Sequence, residues 1–234
     1  MERSINRFAL GTMAFLSVAI ALHAMRFEAV LMNIWPAVDD GIRHVIERVP
    51  LQALTHMLVA PFALLLGPFQ FMPRLRSRYP RLHRISGRVY VGACIIAGTG
   101  ALFTAPYASG GPVAGVGFAI LAALWIGTTA WAWRAAVARN LTLHRTLMRY
   151  SYAMTFGAVT LRLQIPFFLM GGFHSYPEMS VWLAYTSWIP NVLIVALWSA
   201  IRRPRATALA RRGMIRIKTK WGRPSPDIPL ARLV

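Results

Sequence analysis

Acidic side chains are scarce in this sequence, and where they are missing matters more than their number. Seven Asp and Glu stand against 26 Lys and Arg, and only 14% of the 234 residues are charged. An ordinary soluble domain carries about a quarter. No carboxylate falls inside any of the long apolar runs, so no acid is placed there to orient a histidine in a hydrolytic triad. The single cysteine, Cys94, excludes an intrachain disulfide and reads as a buried thiol within an apolar run. No Walker loop, dinucleotide fingerprint or HExxH sequence is present, and no metal site is indicated.

What the chain has in abundance is apolar length. Hydrophobic residues make up 56% of it, and they fall into runs long enough to cross ~30 Å of hydrocarbon at ~1.5 Å per residue. The runs are about 8–25, 51–72, 89–108, 114–135, 150–170 and 182–200. The fold class expected is therefore all-α, a polytopic bundle of six transmembrane helices over 1–200. The first run follows a charged opening and reads as a signal anchor that stays in the bilayer. The outer loop, 26–50, carries Ile42, Val45, Ile46 and Val49 at helical spacing, which predicts an interfacial helix opened by Asp40. The stretch 201–234 is a basic tail without periodic pattern, expected to be disordered.

Nearly all the cations are arginines, and they mark orientation. Arg74 to Arg88, Arg134 to Arg149 and the tail fall on the side of the N-terminus, whereas only Arg26, Arg43 and Arg48 lie opposite. That asymmetry predicts a multi-pass protein of the cell inner membrane with both termini cytoplasmic. It also explains the net charge of +19 without nucleic acid. The partners expected are the bilayer itself and anionic lipids held by the basic loops and tail.

Spans three and five begin alike. Leu82-His83-Arg84 and Leu143-His144-Arg145 lie 61 positions apart, and Arg88/Arg149 and Gly110-Gly111/Gly171-Gly172 match at the same offset. This reads as a possible duplicated helix hairpin, spans 3–4 and 5–6 as parallel repeats.

Polar residues inside the spans are the candidate site. Arg162 sits deep in span five, where an arginine costs roughly 2.5–3.5 kcal/mol to insert and needs partners. Pro166 cannot donate to the carbonyl of residue 162, and Asn191, at similar depth in span six, could hydrogen-bond across. These groups form either a structural cluster or the seat of an anionic ligand. In span two, His56, Ala60, Ala63, Gly67 and Gln70 share one face, suited to a close helix contact or a flat cofactor. Gln70, His83, Arg84, Arg88, His144, Arg145, Arg149, Arg162 and Asn191 are the ligand-binding candidates. Haem b needs two axial histidines, and His23 with His56, or His83 with His144, are the pairs that could supply them. The cofactor itself is not readable.

The stretch Gly67-Pro68-Phe69-Gln70-Phe71, Arg74, Leu82-His83-Arg84 and Gly87-Arg88-Val89-Tyr90 resembles the predicted membrane proteins grouped as domain of unknown function 2306. His144-Arg145, Met148-Arg149, Tyr152-Ala153, Thr155-Phe156, Val159-Thr160-Leu161-Arg162, Tyr176 and Trp188-Ile189-Pro190-Asn191 continue the resemblance, which covers about 54–191. Leu147 stands where the family's motif usually has Trp. The resemblance implies a multi-span membrane protein and names no reaction. Three functions remain open: binding of an anionic or planar ligand (haem or quinone included), small-scale transport or lipid handling, and assembly or scaffolding without catalysis.

Overall fold

The computed structural model describes the backbone of residues 2–31 and 40–201, with side chains over 8–25 and 44–201. The basic tail and part of the outer loop, 32–39, lie outside the described residues. Within them the chain is all-helical, without strands. The elements are α1 (Glu2–Leu31), α2 (Asp40–Arg48), α3 (Pro50–Gln70), α4 (Pro73–Arg78), α5 (Pro80–Thr104) with a short 3-10 turn Ala105–Tyr107, α6 (Gly111–Val137), α7 (Leu141–Thr155), α8 (Gly157–Met170) and α9 (Tyr176–Thr186). A last helix, α10, covers 189–201. A first compact unit ends at Leu193, within α10.

Six helical stretches are long and apolar enough to cross a membrane: Phe8–Met25, Pro50–Gln70, Pro80–Tyr107, Gly111–Val137, Leu141–Met170 and Tyr176–Ile201. Several outrun the apolar runs that announce them. The third begins at Pro80 and the fifth at Leu141, so His83 and His144 lie on helices rather than before them. Arginine is a good helix former and its long side chain can reach the headgroups, so helix continues where hydropathy stops.

Proline sets many of the starts. It occupies the first or second position of α3, α4, α5, α6 and α9, where its missing N–H costs no hydrogen bond. Without a proline, α7 relies on Asn140, whose Oδ1 accepts from Leu143 N at 3.1 Å. Arg139 just before it takes a positive φ of 58° to make the turn.

Spans five and six are each interrupted. A one-residue break at Phe156 separates α7 from α8, and residues 187 and 188 separate α9 from α10. Pro166, the obvious breaker in the sequence, lies inside α8 instead. The interruptions face one another across side-chain bonds. Asn191 Nδ2 donates to Thr160 Oγ1 (2.9 Å), Ser187 O (3.1 Å) and Ala153 O (3.3 Å). One turn on, Thr186 Oγ1 and Gln164 Oε1 pair at 2.9 Å. Backbone irregularity at membrane depth persists only where protein or a cavity receives it, and here both do.

Candidate functional site

Two sets of polar side chains stand out among the described residues. One is a hydroxyl cluster shared by α5, α6 and α7. Tyr90 OH lies 2.9 Å from Ser151 Oγ and 3.0 Å from Thr155 Oγ1. Thr129 Oγ1 meets Ser151 Oγ at 2.6 Å, and Trp125 Nε1 donates to Thr155 Oγ1 at 2.9 Å. Tyr90, Thr129 and Ser151 are fully buried. Each side chain has a partner here, which is what low-dielectric burial demands. Tyr90 and Ser151, the central pair, occupy positions related by the 61-residue offset of the sequence echo. A companion contact ties α1 to α7: Tyr152 OH and Ser17 Oγ are 2.7 Å apart. The Tyr152 ring lies against Gly67, where any side chain would strike it.

The other set lines a cavity of about 350 Å³ in the arginine-poor half of the bundle, within the size range of small-molecule sites. Its wall is mostly aliphatic and aromatic, with Leu64, Phe118, Leu121, Trp125 and Leu161 among the large contributors. Both interrupted spans reach it, through Gly157 and Ala158 at the start of α8 and through Ser187. Three polar groups on this wall stand apart: Arg162, His56 and Ser180. The Arg162 guanidinium makes one hydrogen bond among the described residues, Nη1 to Ala158 O at 3.0 Å, although it carries five N–H donors. No carboxylate is found among the described residues of the wall. Tyr176 and His56 are within electrostatic reach of it. His56 Nδ1 bonds to Ala97 O at 2.9 Å. Ser180 is fully buried, and its Oγ has no partner among the described residues.

The candidates named from sequence thus scatter. Asn191 does not answer Arg162, contrary to expectation; it belongs to Thr160. Residues 160 and 162 point about 160° apart around a helix of 3.6 residues per turn, so one asparagine cannot serve both. Arg162 turns back one turn to Ala158 O rather than to its own proline-freed carbonyl. Gln70 bonds Ser86 Oγ at 2.9 Å. The small-residue face of span two is partly taken up by protein, with α5 reached through His56 and Gln70 and Tyr152 set on Gly67, while His56 and Ala60 also line the cavity. His83 and His144 come within electrostatic reach of each other near the starts of α5 and α7, together with Arg84. His144 Nδ1 is bonded to Ala132 O at 2.9 Å, whereas His83 Nδ1 is buried without a partner among the described residues. Arg84, Arg88 and Arg145 are exposed at the same end. His23 is exposed on α1 and does not line the cavity with His56.

Sequence reading did not single out Ser180, Trp125 or Thr155 as cavity groups. Trp125 and Thr155 look like ordinary span residues, and only the packing of α6 and α7 brings both to one wall. No curated protein and no solved structure matches the chain. A family model described as predicted membrane protein (DUF2306) matches residues 53–199, a stretch that holds most of α3, all of α4 through α9 and every polar group of the cavity wall named above. The chain belongs to that family of membrane proteins.

Proposed function

We propose that the protein binds an anionic amphiphile, an apolar chain ending in one acidic head, in the cavity of its arginine-poor half. The observation that carries this reading is Arg162: a cation on a mostly apolar wall, with one hydrogen bond and no carboxylate among the described residues to meet it. A guanidinium at membrane depth needs an anionic or polar partner, and its planar fork suits a carboxylate or phosphate. The aliphatic wall favours a chain, at about 0.8 kcal/mol per buried methylene. Interrupted spans beside the cavity support the same reading, since discontinuous helices commonly frame ligand sites in membrane proteins. The start of α8, at Gly157, adds the positive end of a helix dipole.

Sequestration or passage of such a molecule, rather than chemistry on it, is the activity these groups support. The arginine asymmetry supports insertion in a cell inner membrane with both termini cytoplasmic. The exposed Arg84, Arg88 and Arg145 support contact with anionic headgroups at that face.

The test uses detergent-purified full-length protein and three ten-carbon probes: decanoate, decanol and decyltrimethylammonium. Decanoate is expected to raise the thermal midpoint, the other two are not, and Arg162→Leu is expected to remove the decanoate effect while still folding. Equal stabilisation by all three probes would leave the cavity as a detergent-filled gap.

A further inference from the structure

We propose that His56 takes up a proton as the acidic head settles against Arg162, so that the cavity binds a weak acid together with a proton; this rests on the reading of the cavity given above. The local geometry fixes which ring atom is involved. Ala97 O, 2.9 Å from Nδ1, can only accept, so Nδ1 carries hydrogen in both charge states of the ring. Nε2 is the atom that titrates, and it is the ring's remaining polar atom on a residue of the cavity wall.

The surroundings of that ring make proton and anion interdependent. Arg162, on α8, is within electrostatic reach of His56, and Tyr176, on α9, is the other titratable group among the described wall residues. The described wall residues from α1, α2, α5, α6 and α7 carry no charge. The arginines of α4 lie beyond the far end of α3, past ~21 Å of helix. An imidazolium beside a guanidinium in an apolar cavity is unfavourable while the space between them holds no anion. A carboxylate reverses the balance, because both cations then donate to its oxygens. A ligand arriving as the acid loses its O–H bond and a Nε2–H bond forms. A ligand arriving as the anion draws the same proton from water. Either way an ionised head ends between two positively charged donors, and the net charge brought into the membrane is smaller than with the anion alone.

Such coupling has a thermodynamic signature. Where the free ligand is ionised and the empty site's His56 is neutral, one proton is bound per ligand, and affinity falls about tenfold per pH unit as pH rises. Calorimetry of full-length protein with decanoate, run at one pH in phosphate and in Tris, counts that proton from the difference in buffer ionisation heat. Wild type is expected to take up one proton per decanoate. His56→Asn places a carboxamide nitrogen near the Nδ1 position for Ala97 O but cannot titrate, and is expected to bind more weakly with no uptake. Binding by wild type with no proton and a flat pH profile overturns the coupling and leaves the site standing. Uptake that survives in His56→Asn overturns the role given to His56. Absence of decanoate binding by wild type sinks both readings. The wild-type pH profile decides the coupling even if the variant fails to fold.

Discussion

The hydroxyl cluster of α5, α6 and α7 and the cavity beside it share two residues, Trp125 and Thr155, yet they treat polar groups in opposite ways. In the cluster, Tyr90, Thr129, Ser151, Thr155 and Trp125 each find a partner at 2.6–3.0 Å. On the cavity wall, among the described residues, Arg162 has one protein acceptor for five donors and Ser180 Oγ has no partner. Paired groups hold helices in register and ask nothing from outside. Groups left short of partners at the same depth are the ones a ligand can complete. A membrane bundle can thus be read for function by asking which of its polar atoms are still owed a contact.

That contrast can be broken at four places, in order of expected effect. Gly67→Leu drives a side chain into the Tyr152 ring, an overpacking that costs about 3 kcal/mol; thermal denaturation in detergent should show a large loss or no folded bundle. Next, Arg162→Leu should forfeit the ligand-dependent gain, about 2.7 kcal/mol at a hundredfold excess over Kd. Its ligand-free midpoint should drop little, since among the described residues only the bond to Ala158 O is lost. Tyr90→Phe removes one partner of Ser151 and Thr155, which keep Thr129 and Trp125, and should cost about 1 kcal/mol, with the decanoate shift intact. If instead binding vanished and stability held, the cluster would belong to the ligand site and the distinction would fail. Thr186→Val removes the bond to Gln164 and should cost only about 0.6 kcal/mol, typical of interhelical bonds measured in membranes.

Much of this was legible in the residues. Six spans follow from apolar length, because hydrocarbon thickness is a fixed ruler. Arg162 announces itself as an ionisable residue deep in a span, and His56 as the polar end of a helix face. The breaks were not legible: Phe156 carries no breaker signal of its own, and Pro166, which does, stays within α8. Nor was the pairing of Asn191, since Thr160 and Arg162 sit two residues apart and only helix rotation decides which one it meets. The hydroxyls of Thr129, Ser151 and Thr155 are common in membrane helices, and their convergence depends on the register of three helices that no local pattern encodes.

Photolabelling gives the most direct measure of the cavity reading. A ten-carbon fatty acid with a diazirine near its methyl end, irradiated with wild type and mapped by mass spectrometry, should mark wall residues such as Leu64, Phe118 or Leu121. Excess decanoate and Arg162→Leu should each erase that label. Labelling confined to lipid-facing positions such as Phe15, Phe103 or Trp182, or cavity labelling indifferent to Arg162, would contradict it.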